Sequence, residues 1–122
     1  MTVEMLLPWP PSTNTLHRNA RIGNRQATLL SEKGRAYFDA AAYEVIRQRD
    51  GAKFSGPVAV EITLHAPTRR SIDIDNRIKA TLDAMTHGGL WVDDSQVDVL
   101  IVQRGEVRRG GAAAVRVWEI AE

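Results

Sequence analysis

The chain has 122 residues, 43% of them hydrophobic, no cysteine, and a formal net charge of only +1. That length fits one domain, residues 1–122, with a modest core, and the missing cysteines exclude a disulfide framework and a thiolate metal site. No run approaches the roughly 18 apolar residues of a membrane span, and the early stretch MLLPWPP lacks a basic leader, so a cytoplasmic protein is expected.

In chain order, residues 2–8 (TVEMLLP) read as a short strand stopped by Pro8. The following PWPPSTN excludes helix and central strand, because its prolines carry no amide donor, and is expected to form a rigid loop. Residues 17–25 (HRNARIGNR) hold Arg18, Arg21 and Arg25 with no acid between Glu4 and Glu32. They read as a basic loop turning at Gly23-Asn24. Residues 31–49 predict a helix with Ser31 as N-cap and Tyr37, Phe38, Ala41, Val45 and Ile46 as its apolar positions.

Residues 57–66 alternate Val58, Val60, Ile62 and Leu64 in period two, the pattern of a half-buried strand. After the PTRR turn, Ile72 and Ile74 alternate with Asp73 and Asp75 on extended backbone. A second helix follows, with Ile78, Leu82 and Met85 as its stripe and HGG at 87–89 as its stop. The turn VDDSQ leads to strands at 97–107 and 112–120, joined by RRGG. The predicted order is β-α-β-α-β-β, an α/β (α+β) domain with a mixed sheet and two helices. His17, His65 and His87 lack ligand spacing, and Trp9, Trp91 and Trp118 read as core residues rather than base-stacking ones.

The near-neutral total hides a local imbalance. Residues 71–98 contain six aspartates, Asp73, Asp75, Asp83, Asp93, Asp94 and Asp98, against two cations, Arg77 and Lys79, a balance of −4. Such a cluster repels itself unless hydrogen bonds, cations or a metal offset it. On extended backbone Asp73 and Asp75 would share one face, with Ile72 and Ile74 turned into the core, and Lys79 and Asp83 would continue the line at i+4 steps. Converging carboxylates without His or Cys suit a hard cation, Mg²⁺ or Mn²⁺. Each motif also has a plainer use: Asp-x-Asp can cap a helix and DDS can form a turn. Caps and turns account for each piece but not for their concentration.

With these residues in view the chain resembles the RusA family of Holliday junction resolvases. LPWPPSTN at 7–14 is similar to the family's Pro-rich motif ending in Asn, and DIDNRIKATLDAMTHGGLWVDDSQV at 73–97 to its central signature. The resemblance implies a bacterial or phage-encoded, Mg²⁺-dependent endonuclease that resolves four-way DNA junctions by paired nicks during recombination and repair, acting as a homodimer. It implies catalytic roles for Asp73, Asp75, Asp94 and Lys79, and metal ligation by those three aspartates with Asp93 as a further candidate. Asn14, Arg18, Arg21, Arg25, Arg69, Arg70 and Asn76 would contact DNA. Two rivals remain at this stage: a nuclease for branched DNA generally, and a non-catalytic DNA-binding module in which the acids only cap and turn.

Overall fold

The computed structural model describes residues 1–121. Strand β1 (Thr2–Leu7) alternates strictly, burying Val3, Met5 and Leu7. Pro10 and Pro11 then break the ladder, and a single helical turn, α1 (Thr13–Leu16), starts directly after them. The predicted loop therefore ends earlier than expected, with Thr13 and Asn14 already helical. Prolines are tolerated just ahead of a helix because its first amides lack intrahelical partners anyway.

The expected basic loop is instead an antiparallel hairpin, β2 (His17–Ile22) and β3 (Arg25–Leu30). Gly23 supplies the positive φ, +61°, at the first turn position, while Asn24 keeps a negative one, the type II′ arrangement that matches strand twist. Helix α2 (Glu32–Arg49) starts as predicted: Ser31 Oγ accepts from the Gly34 amide at 3.0 Å. It buries Tyr37, Phe38, Ala41 and Val45. Ile46, expected with them, is 55% exposed, because α2 meets its neighbours along a narrower stripe than the spacing allowed.

Strand β4 (Val58–His65) buries Val58, Val60, Ile62 and Leu64 completely. Its chain leaves through the Pro67–Arg70 turn, forms a 3₁₀ turn over Ile74–Arg77, and enters α3 (Ile78–His87). Helix α3 buries Ala80, Thr81, Ala84 and Met85, so of the predicted stripe only Met85 is fully inside, with Ile78 and Leu82 half-buried. A second 3₁₀ turn, Asp94–Gln96, precedes β5 (Val97–Arg104) and β6 (Ala112–Glu119).

The result is a single small α+β domain. Its mixed four-stranded sheet has the order β1-β6-β4-β5, with β4 and β5 parallel and the other pairs antiparallel. A parallel pair requires a crossover, and α3 supplies it. Three helices are present among the described residues rather than two. The main core lies between the sheet and the helices, with Val45, Met85 and Trp91 packed on Val58, Val60, Ile62, Val115 and Val117. Each fully buried aliphatic side chain there contributes about 2 kcal/mol. A second cluster, Leu16, Tyr37, Phe38, Ala41, Ala80 and Ala84, locks α1, α2 and α3 together. No helix is long and apolar enough to cross a membrane.

Candidate active site

The acidic segment is held from two sides by main-chain acceptors. Arg77 reaches back to the Pro-rich segment, donating from Nη1 to the Pro10 carbonyl at 2.7 Å with its guanidinium carbon 5.0 Å from the Trp9 ring centroid. Burial at this position pulls the Arg77 guanidinium below its usual pKa, a cost that the carbonyl and the ring face offset. Thr13 Oγ1 donates to the Asn76 carbonyl at 3.0 Å, and Arg104 Nη2, from β5, to the Ile72 carbonyl at 3.0 Å. The 3₁₀ turn is thus pinned between the Pro-rich segment and the sheet. Asp73 and Asp75 are left exposed.

Their backbone differs from the expectation. Asp73 is extended (φ −87°, ψ 120°), but Asp75 lies inside the 3₁₀ turn, so the two do not alternate along one strand, and Ile72 and Ile74 are only half-buried. The capping explanation also lacks support here. Asp73 occupies the N-cap position of the turn without a capping hydrogen bond, and the residue preceding α3 is Arg77, whose side chain does not cap either.

On the first turn of α3, Lys79 Nζ donates to Asp83 Oδ1 at 2.8 Å and to Asp94 Oδ2 at 3.1 Å. These bonds, the Asp83 one first and the Asp94 one second, raise the Lys79 pKa, so the group is firmly an ammonium. Asp83 was legible only as an i+4 neighbour of Lys79; the structure makes it a full partner of the lysine. The adjacent pair separates by role. Asp93 belongs to the turn: its amide donates to Gln96 Oε1 at 3.3 Å, and hydrogen bonding from Ser95 draws its carboxyl below the usual range. Asp94 faces Lys79. Asp73 and Asp75 join no ion pair with them, and among the described residues no three His, Cys, Asp or Glu side chains are placed to hold a metal ion together.

The candidate DNA contacts fall into two zones. Arg18, Arg21 and Arg25 are exposed on the β2–β3 hairpin, and since Arg25 pairs with Ile22, Arg18 and Arg25 share one face while Arg21 takes the other. Arg69 and Arg70 are exposed on the turn before the acidic segment, and Arg70 lines a cavity of about 360 Å³ with Trp9, Pro67, Thr68, Ser71 and Arg77. None of these five guanidiniums has a carboxylate partner among the described residues. Asn14 is exposed on α1, and Asn76 is half-buried beside Arg77. The Arg77 and Arg104 clamps carried no sequence signal, since their partners are distant main-chain carbonyls. Of the tryptophans, only Trp91 is fully core, its Nε1 donating to Thr86 Oγ1 at 2.7 Å; Trp9 and Trp118 lie half-buried under arginines.

A carboxylate and lysine cluster on a small α+β domain that also carries exposed, unpaired arginines is compatible with an enzyme that acts on phosphodiesters. Comparison with known proteins gives that class its family: a model described as endodeoxyribonuclease RusA matches residues 8–118. The chain is 37% identical over 119 residues to the crossover junction endodeoxyribonucleases of Enterobacteria phage 82 and Escherichia coli K12, covering 98% of this chain and 96% of each relative. A third relative, from Escherichia coli O139:H28, is 35% identical over 121 residues, 99% of this chain and 98% of its own. The chain belongs to the RusA endodeoxyribonuclease family.

Proposed function

We propose that the protein resolves four-way DNA junctions by paired nicks, with Asp73, Asp75, Asp94 and Lys79 as its catalytic residues. The observation that carries this reading is the Lys79–Asp94 bond, which brings the second acidic motif against the helix that follows the first. The family relationship and the names of the relatives support it.

The donor set is all oxygen, the ligand type a hard divalent cation takes, and one member, Asp94, already holds a cation, Lys79, although the described residues of one chain do not bring three carboxylates together. Asp73, Asp75 and Asp94 would hold Mg²⁺ or Mn²⁺, with the turn residue Asp93 nearby. Such an ion supplies charge neutralisation at the scissile phosphate and at the departing oxygen. The chain's own part is then electrostatic and positional. Lys79 donates to a non-bridging phosphate oxygen as negative charge builds on it. Arg18, Arg21, Arg25, Arg69 and Arg70, with Asn14 and Asn76, bind flanking phosphates and fix the register of the strand, contributing affinity but no sequence reading. Two symmetric cuts call for two sites related by a two-fold axis, so the working form is a homodimer. Its substrate arises in recombination and repair, so the enzyme works in the cytoplasm with the DNA.

The test is a labelled mobile four-way junction beside a matched linear duplex, each with Mg²⁺ and with EDTA. Paired symmetric nicks in the junction alone, only with metal, are expected. Cleavage of flaps and forks at the same rate would make it a general branched-DNA nuclease, and binding without cleavage would reduce it to a binding module.

A further inference from the structure

Among the described residues, two buried side-chain polar atoms find no hydrogen-bond partner, Tyr37 Oη and Arg77 Nε. Both residues line one cavity of about 400 Å³, a volume in the range of small-ligand sites. A buried polar group without a partner is destabilising, so two of them at one cavity point to an acceptor that arrives from outside. We infer that this cavity is a phosphate subsite, which takes a backbone phosphate of the DNA strand flanking the one that is cut. The inference rests on the nuclease reading above and gives the Pro-rich motif a use beyond Asn14.

The lining suits an oxyanion. Lys33 and Arg77 are its two charged residues, and no carboxylate lines it. Neither cation has an ion-pair partner among the described residues. Arg77 donates from Nη1 to the Pro10 carbonyl, which leaves Nε and Nη2, the edge of a guanidinium that takes two phosphate oxygens side by side. Ser12 and Thr15 add hydroxyls 3.2 Å apart, rotors that can turn toward an acceptor. Tyr37 brings no negative charge, because burial pushes its pKa up and the phenol stays protonated. Thr81, the polar group beside that phenol, spends its own proton on the Arg77 carbonyl at 2.9 Å. A nucleobase fits less well, since Arg77 covers one face of the Trp9 ring and both charged groups are cations.

The walls are braced in advance. Ser31, the cap of α2, donates to the Leu16 carbonyl from its amide at 3.0 Å and from Oγ at 3.1 Å, which fixes Lys33, in the same helical turn, beside α1. Gly34 makes that approach possible, because a Cβ there would collide with the Leu16 carbonyl oxygen. Thr13 ties α1 to the Asn76 carbonyl, and Arg77 ties the Pro-rich segment to the same turn. Asp75 and Arg77 both belong to that 3₁₀ turn, so a phosphate held by Arg77 sets the position of its strand relative to the acids.

Lys33→Ala gives a direct test, because Lys33 is exposed and its loss leaves the fold intact. Four-way junction binding is measured in EDTA, with a neutral methylphosphonate placed in turn at each phosphate around the crossover. Lys33→Ala should raise the junction dissociation constant about tenfold, and one of the methylphosphonates should do the same to the wild type while adding nothing in Lys33→Ala. In parallel, a thymidine hexanucleotide in EDTA should shift the Arg77 Nε–H resonance in nitrogen-edited NMR of the wild type, and far less in Lys33→Ala. An equal shift with inorganic phosphate alone would make this a free-anion site and overturn the strand assignment. Additive losses at every methylphosphonate position, with the Arg77 resonance unmoved, would mean that the cavity holds water only and overturn the proposal. A junction that does not bind at all overturns the junction reading, and the hexanucleotide then decides the subsite by itself.

Discussion

Lys79 Nζ lies 3.1 Å from Asp94 Oδ2 across fifteen positions of chain, and 2.8 Å from Asp83 Oδ1. The lysine side chain is 60% exposed, so these pairs contribute at most about 1 kcal/mol to folding. Their use is positional. Lys79→Ala should therefore lower single-turnover cleavage by about 10²–10³-fold, the usual cost of removing a donor to developing charge. Thermal unfolding should move little, and near-normal turnover would take Lys79 out of the site.

The same contacts set a pH dependence. Hydrogen bonds donated to Asp83 and then Asp94 raise the Lys79 pKa, so its stabilising charge is fully present below the ordinary lysine value and is lost only as pH rises through the higher folded one. Nitrogen-detected NMR of the Lys79 amine should show it titrating above the ordinary lysine value. Asp83→Asn should lower that midpoint more than Asp94→Asn, following the order of the two causes. Equal midpoints in all three proteins would mean that the bonds do not persist in solution.

Asp73→Asn isolates the carboxylate charge from the fold. Asp73 is exposed and makes no capping bond, so the isosteric amide should leave stability within about 0.5 kcal/mol, as for ordinary surface changes. Cleavage with Mg²⁺ should vanish while junction binding persists, and Asp94→Asn should behave alike. Full activity in either variant would sink its assignment.

These residues also show how much was legible beforehand. Strands β1, β4 and β6, helix α2 and its Ser31 cap followed from periodicity and capping chemistry, because burial there obeys a local repeat. The hairpin did not, since HRNARI and RQATLL are largely exposed with arginine on each face, and only Gly23-Asn24 signalled the turn. Asp75 could not be placed, because the 3₁₀ turn is imposed by Arg77 on Pro10 and Arg104 on Ile72, contacts that leave no spacing in the sequence. The meeting of Asp94 with Lys79 was likewise a tertiary outcome: the sequence supplied both residues and left their distance open.

The hairpin arginines should act through phosphate charge alone. Among Arg18→Ala, Arg21→Ala and Arg25→Ala, each variant that loses a phosphate contact should weaken junction binding and reduce the slope of log K against log salt by about 1 for each phosphate no longer neutralised. Because Arg21 lies on the opposite face from Arg18 and Arg25, a strand crossing one face should register the pair and spare the single residue, or the reverse. Identical slopes for wild type and all three variants would leave the hairpin outside the DNA footprint.

Arg77 should prove a positioning residue. Its Nη1 bond to Pro10 and its stack on Trp9 hold the Pro-rich segment against the turn that carries Asp73 and Asp75. Arg77→Ala removes both interactions and strands the Pro10 carbonyl, costing about 1–3 kcal/mol in denaturant unfolding. Turnover should fall more than junction affinity, because the acids lose their register while the exposed arginines keep theirs. Arg77→Lys keeps the charge but not the planar group that stacks on the indole while donating to the carbonyl, so it should recover little of the rate. If lysine restored full turnover, charge alone would be the requirement at this position, and the clamp would have no part in setting the acidic turn.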